Sequence, residues 1–165
     1  MKIERTVLLR AAPRDVFELV DDLGRYPQWM ELVHDVSDVS EVSGVSEVSG
    51  VSGNADTGRS WDVELRAQIG PLARSKRLRM TRTVHEPPRR VVFERTEVDG
   101  RRHSPWVLES VLTEQGSGAT ELTMTLTYGG NLWTGAVLEH VLDDHVDRGA
   151  RSLTALVEPA PPENP

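Results

Sequence analysis

An arginine with the spacing of buried residues is the side chain of this sequence best suited to chemistry on a polar group. In the segment LRMTRTV, Leu78, Met80 and Arg82 are two residues apart, so a β-strand turns all three to one face. Val84 has the same parity. A guanidinium on an apolar face needs a partner, and it can stabilise negative charge on an oxygen of a bound molecule. The alternative is that Arg82 pairs with an acidic residue inside the protein.

A histidine and a tyrosine are the candidates for moving a proton. His145 falls on the apolar face of a helical pattern with Val141 and Leu142, and imidazole is the natural acid or base near neutral pH. The alternative is a core histidine that hydrogen-bonds to a backbone carbonyl. Tyr128 continues the parity of the apolar residues before it, which predicts that its hydroxyl faces the interior. With Arg82, these two residues form the candidate catalytic set.

Four of the few aromatic residues are tryptophans, whose flat rings can stack on a flat ligand. Trp29 and Trp133 precede or begin predicted helices, whereas Trp61 and Trp106 have the apolar parity of predicted strands. We expect Trp106 to belong chiefly to the core and the other three to form the wall or mouth of a pocket. The candidate ligand-binding residues are Trp29, Trp61, Leu65, Met80, Arg82, Trp106, Met124, Tyr128, Trp133, Leu138, Leu142 and His145.

The elements that position these residues are predicted to be one strand, two short helices, a run of strands and a long helix. Residues 2–10 alternate as in a strand, a helix begins at Pro13, and a short helical turn begins near Pro27. Two-residue alternation between Gly- or Pro-containing turns predicts strands over 61–69, 73–84, 91–98, 104–114 and 119–129. From 132 to 157 the apolar spacing becomes helical. This order predicts an α+β domain with one curved antiparallel sheet.

A simple repeat interrupts this pattern. Residues 36–53 read VSDVSEVSGVSEVSGVSG, six copies of Val-Ser-(Asp/Glu/Gly), and a period of three matches neither a strand nor a helix. We expect a surface loop between strands, with the first copies completing a strand; a binding or assembly module is the alternative. Residues 158–165 are half proline, which predicts a disordered tail after a single domain over 1–157.

Composition excludes several classes of function. The net charge of −7 disfavours nucleic acid and anionic membranes as partners, and the absence of cysteine excludes thiol chemistry. No segment has the apolar length of a signal peptide or a membrane span, which predicts a cytoplasmic protein. His140 and Asp144 have metal-ligand spacing but no evident third ligand, so neither a metal nor another cofactor is expected. Arg77 and Arg79 have outward parity and are expected to pair with Glu64 and its neighbours.

Two longer phrases carry a resemblance to a known family. With APRDVFELVDDLGRYPQWM near the start and GPLARSKRLRMTRTVHEPPRRVVFE in the middle, the chain resembles the START-like (SRPBCC) helix-grip superfamily. Within it, the match is to the polyketide cyclase/dehydrase and lipid transport group. The resemblance implies a sheet of about seven strands that grips the C-terminal helix around an apolar pocket. Such pockets take lipids, polyketides, isoprenoids or hormones.

The same resemblance bears on single residues. It places Arg82 where tetracenomycin-type aromatase/cyclases carry a cavity arginine that polarises a substrate carbonyl. Those enzymes have two aromatic residues on the strand ahead of the arginine, whereas this chain has Lys76 and Leu78 there. This departure counts against cyclisation of aromatic rings.

Three functions follow as expectations. The first is binding of a hydrophobic small molecule, such as a polyketide, lipid or isoprenoid, in an internal cavity. The alternative is a cyclase or dehydratase in which Arg82 polarises a carbonyl while His145 or Tyr128 moves a proton. The third is an accessory protein that docks on a partner, with a carrier protein or a second copy of the chain as the candidate macromolecules.

Overall fold

The computed structural model describes residues 2–39, 57–69, 72–129 and 135–158, and it describes residues 67–69, 72–74 and 135–143 by their backbone alone. The predicted Gly70-Pro71 turn and the tail from residue 159 lie outside these ranges. Within them, the helices are α1 (Pro13–Val20), a 3₁₀ helix (Leu23–Gln28) and α2 (Gly135–Val157). The strands are β1 (Lys2–Leu9), β2 (Val33–Asp38), β3 (Ser60–Ile69), β4 (Leu72–Glu86), β5 (Arg90–Thr96), β6 (Trp106–Gln115) and β7 (Ala119–Tyr128).

The seven described strands form one antiparallel sheet in the order β1-β7-β6-β5-β4-β3-β2. From β2 to β7 each strand pairs with its neighbour in sequence, and β1 returns to pair with β7. The sheet is curled into a half-barrel, and the C-terminal helix α2 packs against it at β1. The predicted α+β helix-grip architecture is therefore confirmed.

Burial follows the two-residue period of the strands except where a bulge interrupts it. On β4, Leu78, Met80 and Arg82 are buried, as their parity predicts. Between Arg82 and Val84 the register with β5 shifts, and the inward position passes to His85. The prediction that Val84 faces inward with Arg82 is corrected by this bulge.

Helix α1 and the 3₁₀ helix form one unit. Helix α1 begins with Pro13 at its first position, where the missing N–H costs nothing. Its apolar side chains Val16, Phe17 and Val20 are buried. The 3₁₀ helix follows at once, and the hydroxyl of its Tyr26 donates to the carbonyl oxygen of Val20 at 3.0 Å. This hydrogen bond ties the two helices together.

Helix α2 packs against β1 and against the residues that follow the 3₁₀ helix. Arg5 Nε on β1 lies 3.2 Å from Asp147 Oδ1, and Leu153 is fully buried. A Cβ added at Gly149 would lie 3.0 Å from both Sδ and Cε of Met30, so glycine permits this close approach. No helix in the described ranges has the length and apolarity needed to cross a membrane.

The Val-Ser-x repeat begins inside β2. Its first copy, residues 36–38, completes that strand and pairs with β3, as predicted, whereas residues 40–53 lie outside the described residues. Where the chain returns, Val39 N donates to the Ser60 carbonyl oxygen at 3.0 Å. Arg59 Nε also donates to Asp38 Oδ2 at 2.8 Å. The two ends of this connection are therefore held together by described residues alone.

Deletion of residues 42–53 tests whether the repeat contributes to the fold. Because its ends are already joined and loop-closure entropy grows slowly with length, we expect the free energy of unfolding to change by less than about 1 kcal/mol. Urea denaturation of the full chain and of the deletion variant measures this difference. A larger loss would mean that the repeat packs against the domain.

Candidate ligand-binding site

An apolar cavity lies between the concave face of the sheet, the 3₁₀ helix and α2. It contains about 750 Å³ of empty space, counted with the part that opens to solvent. The strands contribute aliphatic and methionine side chains, and α2 contributes Val146. Among the described residues that line the cavity, only Tyr26 and Trp106 carry a side-chain nitrogen or oxygen. Such a lining favours an apolar ligand.

Strand parity explains how the lining forms. Val63 on β3 lies opposite Leu78 on β4, and both line the cavity together with the residue two positions further along each strand. Leu108 on β6 lies opposite Leu126 on β7. Both line the cavity together with the residue two positions earlier on each strand, Trp106 and Met124. Alternate side chains of paired strands share one face, so each of these four strands contributes two neighbouring residues.

Part of the predicted ligand-binding set lines the cavity. The predicted residues found there are Leu65, Met80, Trp106 and Met124. Trp106, which was expected to be chiefly core, is therefore a wall residue. The side chains of Trp133, Leu138 and Leu142 lie outside the described residues.

Trp29 and Trp61 belong to the core rather than to this cavity. Trp29 is buried, its Nε1 donates to the Leu19 carbonyl oxygen at 3.3 Å, and it borders a smaller space of about 280 Å³ beneath α2. Trp61 is buried, and the guanidinium groups of Arg59 and Arg82 lie 5.0 and 5.6 Å from its ring centroid. Strand parity does not distinguish Trp61 from Trp106.

Arg82 faces inward but is not among the residues that line the cavity. Only 2% of its side chain is exposed, and its Nη1 donates to the Asp21 carbonyl oxygen at 2.8 Å and lies 3.8 Å from Asp21 Oδ2. His85 Nε2 lies 3.3 Å from the same carboxylate oxygen. Burial raises the pKa of the Asp21 carboxyl, while the His85 hydrogen bond and the Arg82 charge lower it. This geometry matches the alternative in which Arg82 pairs with an internal acid.

The other two candidate catalytic residues are also absent from the lining. His145 is half-buried on α2, and its neighbour Val146 reaches the cavity instead. Tyr128 is buried behind Trp106, with 4.8 Å between the ring centroids. The cavity thus does not bring Arg82, His145 and Tyr128 together as a catalytic group.

Tyr26 is one cavity residue whose polar atom is already engaged. Its hydroxyl donates to the Val20 carbonyl oxygen, and burial raises the pKa of this phenol. The ring lines the cavity, so Tyr26 contributes apolar surface.

Lys76 has the inward parity of Leu78 and Met80 on β4, although it is not in the predicted ligand-binding set. Its Nζ lies 5.1 Å from the ring centroid of Trp106 and 5.4 Å from that of Tyr128. Burial lowers the pKa of the Lys76 ammonium, and the charge of Arg95 lowers it further. The signal that could have found this residue is the same two-residue period that identified Arg82.

An exposed cluster lies outside the cavity. Glu97, Asp99 and His103, between β5 and β6, have potential metal-ligand atoms within 4.8 Å of one another. His103 Nε2 lies 2.9 Å from Asp99 Oδ2, so hydrogen bonding within the cluster accounts for its geometry.

The curled sheet, the long C-terminal helix and the apolar cavity between them define a helix-grip protein. The chain belongs to the polyketide cyclase/dehydrase and lipid transport family, whose model matches residues 1–158. No curated protein matches the sequence.

Solved structures agree on the fold at low sequence identity. A START superfamily protein from Mycobacterium smegmatis aligns with a TM-score of 0.67 and 13% identity over 94% of this chain and 96% of that one. A protein from Thermus thermophilus aligns with a TM-score of 0.68 and 16% identity over 95% and 97%. The Zhui aromatase/cyclase from Streptomyces sp. R1128 aligns with a TM-score of 0.65 and 13% identity over 95% and 93%. These likenesses establish the fold alone.

Replacement of Arg82 by methionine tests its structural role. The change leaves the half-buried Asp21 carboxylate without its guanidinium partner, so we expect a loss of about 3–5 kcal/mol in the free energy of unfolding. Arg79→Met is the matched control, because Arg79 pairs with Asp62 on the outer face at 2.8 Å. This exposed pair is expected to contribute less than about 1 kcal/mol. Urea denaturation of both variants measures the contrast, and equal losses would contradict the assignment.

Proposed function

We propose that the protein binds a hydrophobic small molecule in the cavity between the sheet, the 3₁₀ helix and α2. The observation that carries this proposal is the nearly complete apolarity of the lining. Burial of about 300 Å² of apolar ligand surface is worth about 7 kcal/mol before the entropic cost of binding. Membership in a family described by polyketide cyclases, dehydrases and lipid transport supports the same class of ligand.

The lining can adapt to ligands of different shapes. Met80 on β4, Met124 on β7 and Met30 in the segment after the 3₁₀ helix border the cavity, and unbranched thioethers adapt to irregular surfaces. The hydroxyl of Tyr26 is satisfied within the protein, so it demands no acceptor from the ligand. Lipids, polyketides and isoprenoids all meet the requirements of such a surface.

Binding fits the geometry better than cyclisation does. The cyclase mechanism needs the Arg82 guanidinium beside a substrate carbonyl, whereas this guanidinium donates to Asp21 and packs on Trp61. The likeness to an aromatase/cyclase is a likeness of fold, and a shared fold does not establish a shared reaction.

Filling the cavity tests the proposal. Leu108 faces the cavity from β6, so Leu108→Trp adds a large ring to that space. We expect the affinity for the neutral fluorescent probe N-phenyl-1-naphthylamine to fall at least about tenfold, because the probe loses the volume that it occupies. A fluorescence titration measures the change.

The matched control is Val111→Trp, which adds the same ring on the outer face of the same strand, where Val111 is 36% exposed. Circular dichroism verifies that both variants are folded. Unchanged probe affinity in folded Leu108→Trp, or an equal loss in both variants, would overturn the proposal.

A further inference from the structure

At one end of the concave face, beside the cavity, a positive charge lies against the lining residue Trp106. Lys76 follows Leu78 and Met80 in parity and is half-buried; it is not itself a lining residue, but its Nζ lies over the rings of Trp106 and Tyr128. Among the described residues, no carboxylate lies within ion-pair distance of its Nζ. The faces of the two aromatic rings attract this cation, but they do not neutralise its charge.

A second cation lies at the same end. Arg95 on β5 continues the parity of Val91 and Phe93, both fully buried, and its charge acts on Lys76. Its Nη1 donates to the Ser104 carbonyl oxygen at 3.4 Å, and no carboxylate of the described residues pairs with it. Two neighbouring cations that no described carboxylate pairs with create a positive potential beside the apolar cavity.

A buried donor adjoins these charges. Trp106 is 7% exposed, lines the cavity and lies beneath the Lys76 ammonium. Its Nε1–H is inaccessible to solvent and has no acceptor among the described residues. Buried indole N–H groups are normally hydrogen-bonded, because an unpaired donor costs free energy.

We infer that the ligand is an apolar carboxylic acid whose carboxylate binds at the Lys76 and Arg95 end of the concave face, beside the cavity wall formed by Trp106, and accepts a hydrogen bond from Trp106 Nε1. This inference rests on the proposed function, since it specifies the ligand of the same cavity. A carboxylate supplies an anion to the cations and an acceptor to the indole, which the described residues do not provide, while the apolar body of the ligand contacts the cavity lining.

The acid group and the apolar body of the ligand contribute separately to its affinity. Pairs of probes that share a body and differ in the acid group measure the two contributions. Dodecanoate and 1-dodecanol share a chain and differ in charge, and 2-naphthoate and 2-naphthalenemethanol make the same comparison on a fused ring. Isothermal titration calorimetry gives the four affinities. We expect the acid to bind about ten- to a hundredfold more tightly than its alcohol in the pair whose body fits the cavity. The better-bound pair distinguishes a chain-like acid from a flat aromatic one.

Lys76→Met keeps the apolar stem and removes the charge, and it is expected to reduce the preference for the acid by about fivefold or more while the alcohol still binds. Lys76→Arg retains a cation and is expected to keep most of the preference. The matched control is Arg77→Met, the adjacent outward position, where the guanidinium is 84% exposed and pairs with Glu64. That variant is expected to bind both probes as the unaltered protein does.

A second readout follows the indole itself. In ¹⁵N-labelled protein, dodecanoate is expected to move the Trp106 Nε1–H resonance downfield, and Trp106→Phe assigns that signal. The alcohol lacks the anionic acceptor and is expected to move it much less.

The outcomes separate the two proposals. If acid and alcohol bind equally, or if Lys76→Met leaves the preference intact, the inference is overturned while the proposed function stands. If none of the four probes nor N-phenyl-1-naphthylamine binds, the proposed function falls and the inference falls with it.

Discussion

The contact between Arg82 and Asp21 joins the sheet to the helices that enclose the cavity. A guanidinium from the middle of β4 donates to the backbone at the end of α1, immediately before the 3₁₀ helix begins. That helix supplies Leu23 and Tyr26 to the cavity wall. Because a buried guanidinium is stable only when its hydrogen bonds are made, this contact determines where the chain between β1 and β2 can lie.

Around this contact, the concave face divides into a filled end and an open end. Trp61 and Phe93 meet edge to face at 5.5 Å, and Tyr26 meets Phe93 at 6.4 Å, so large rings occupy the space near Arg82. Towards Lys76 the inward residues are mostly aliphatic or methionine, and they leave the cavity between the sheet and α2. The same strands thus provide both the rigid core and the binding surface.

The charges of β4 divide in the same way between the two faces of the sheet. Outside, Arg79 and Arg77 pair with Asp62 and Glu64, as predicted for outward parity, and they lower the pKa of both carboxyls. Inside, Lys76 packs on aromatic rings. The basic residues of β4 therefore pair with carboxylates on the outer face of the sheet, and on the inner face Lys76 places a positive charge beside the cavity.

Much of the fold, but less of the site, could be predicted from the sequence. Two-residue alternation and the long helical period identify β3 to β7 and α2, because these signals are local. The parity of Arg82 was also local, but its partner Asp21 is 61 residues away, so its destination depended on tertiary packing. Similarly, Trp61 and Trp106 share the pattern of inward strand residues, and only the curvature of the sheet places one in the core and the other at the cavity.

Methionine methyl groups provide the most direct test that the cavity holds a ligand. Of the four methionines, Met30, Met80 and Met124 line the cavity from different parts of the chain. With ¹³C-methyl-methionine label and saturating N-phenyl-1-naphthylamine, we expect nuclear Overhauser effects between the probe and these three methyls. Saturation binding with no such effect to any of the three would place the ligand elsewhere and contradict binding in this cavity.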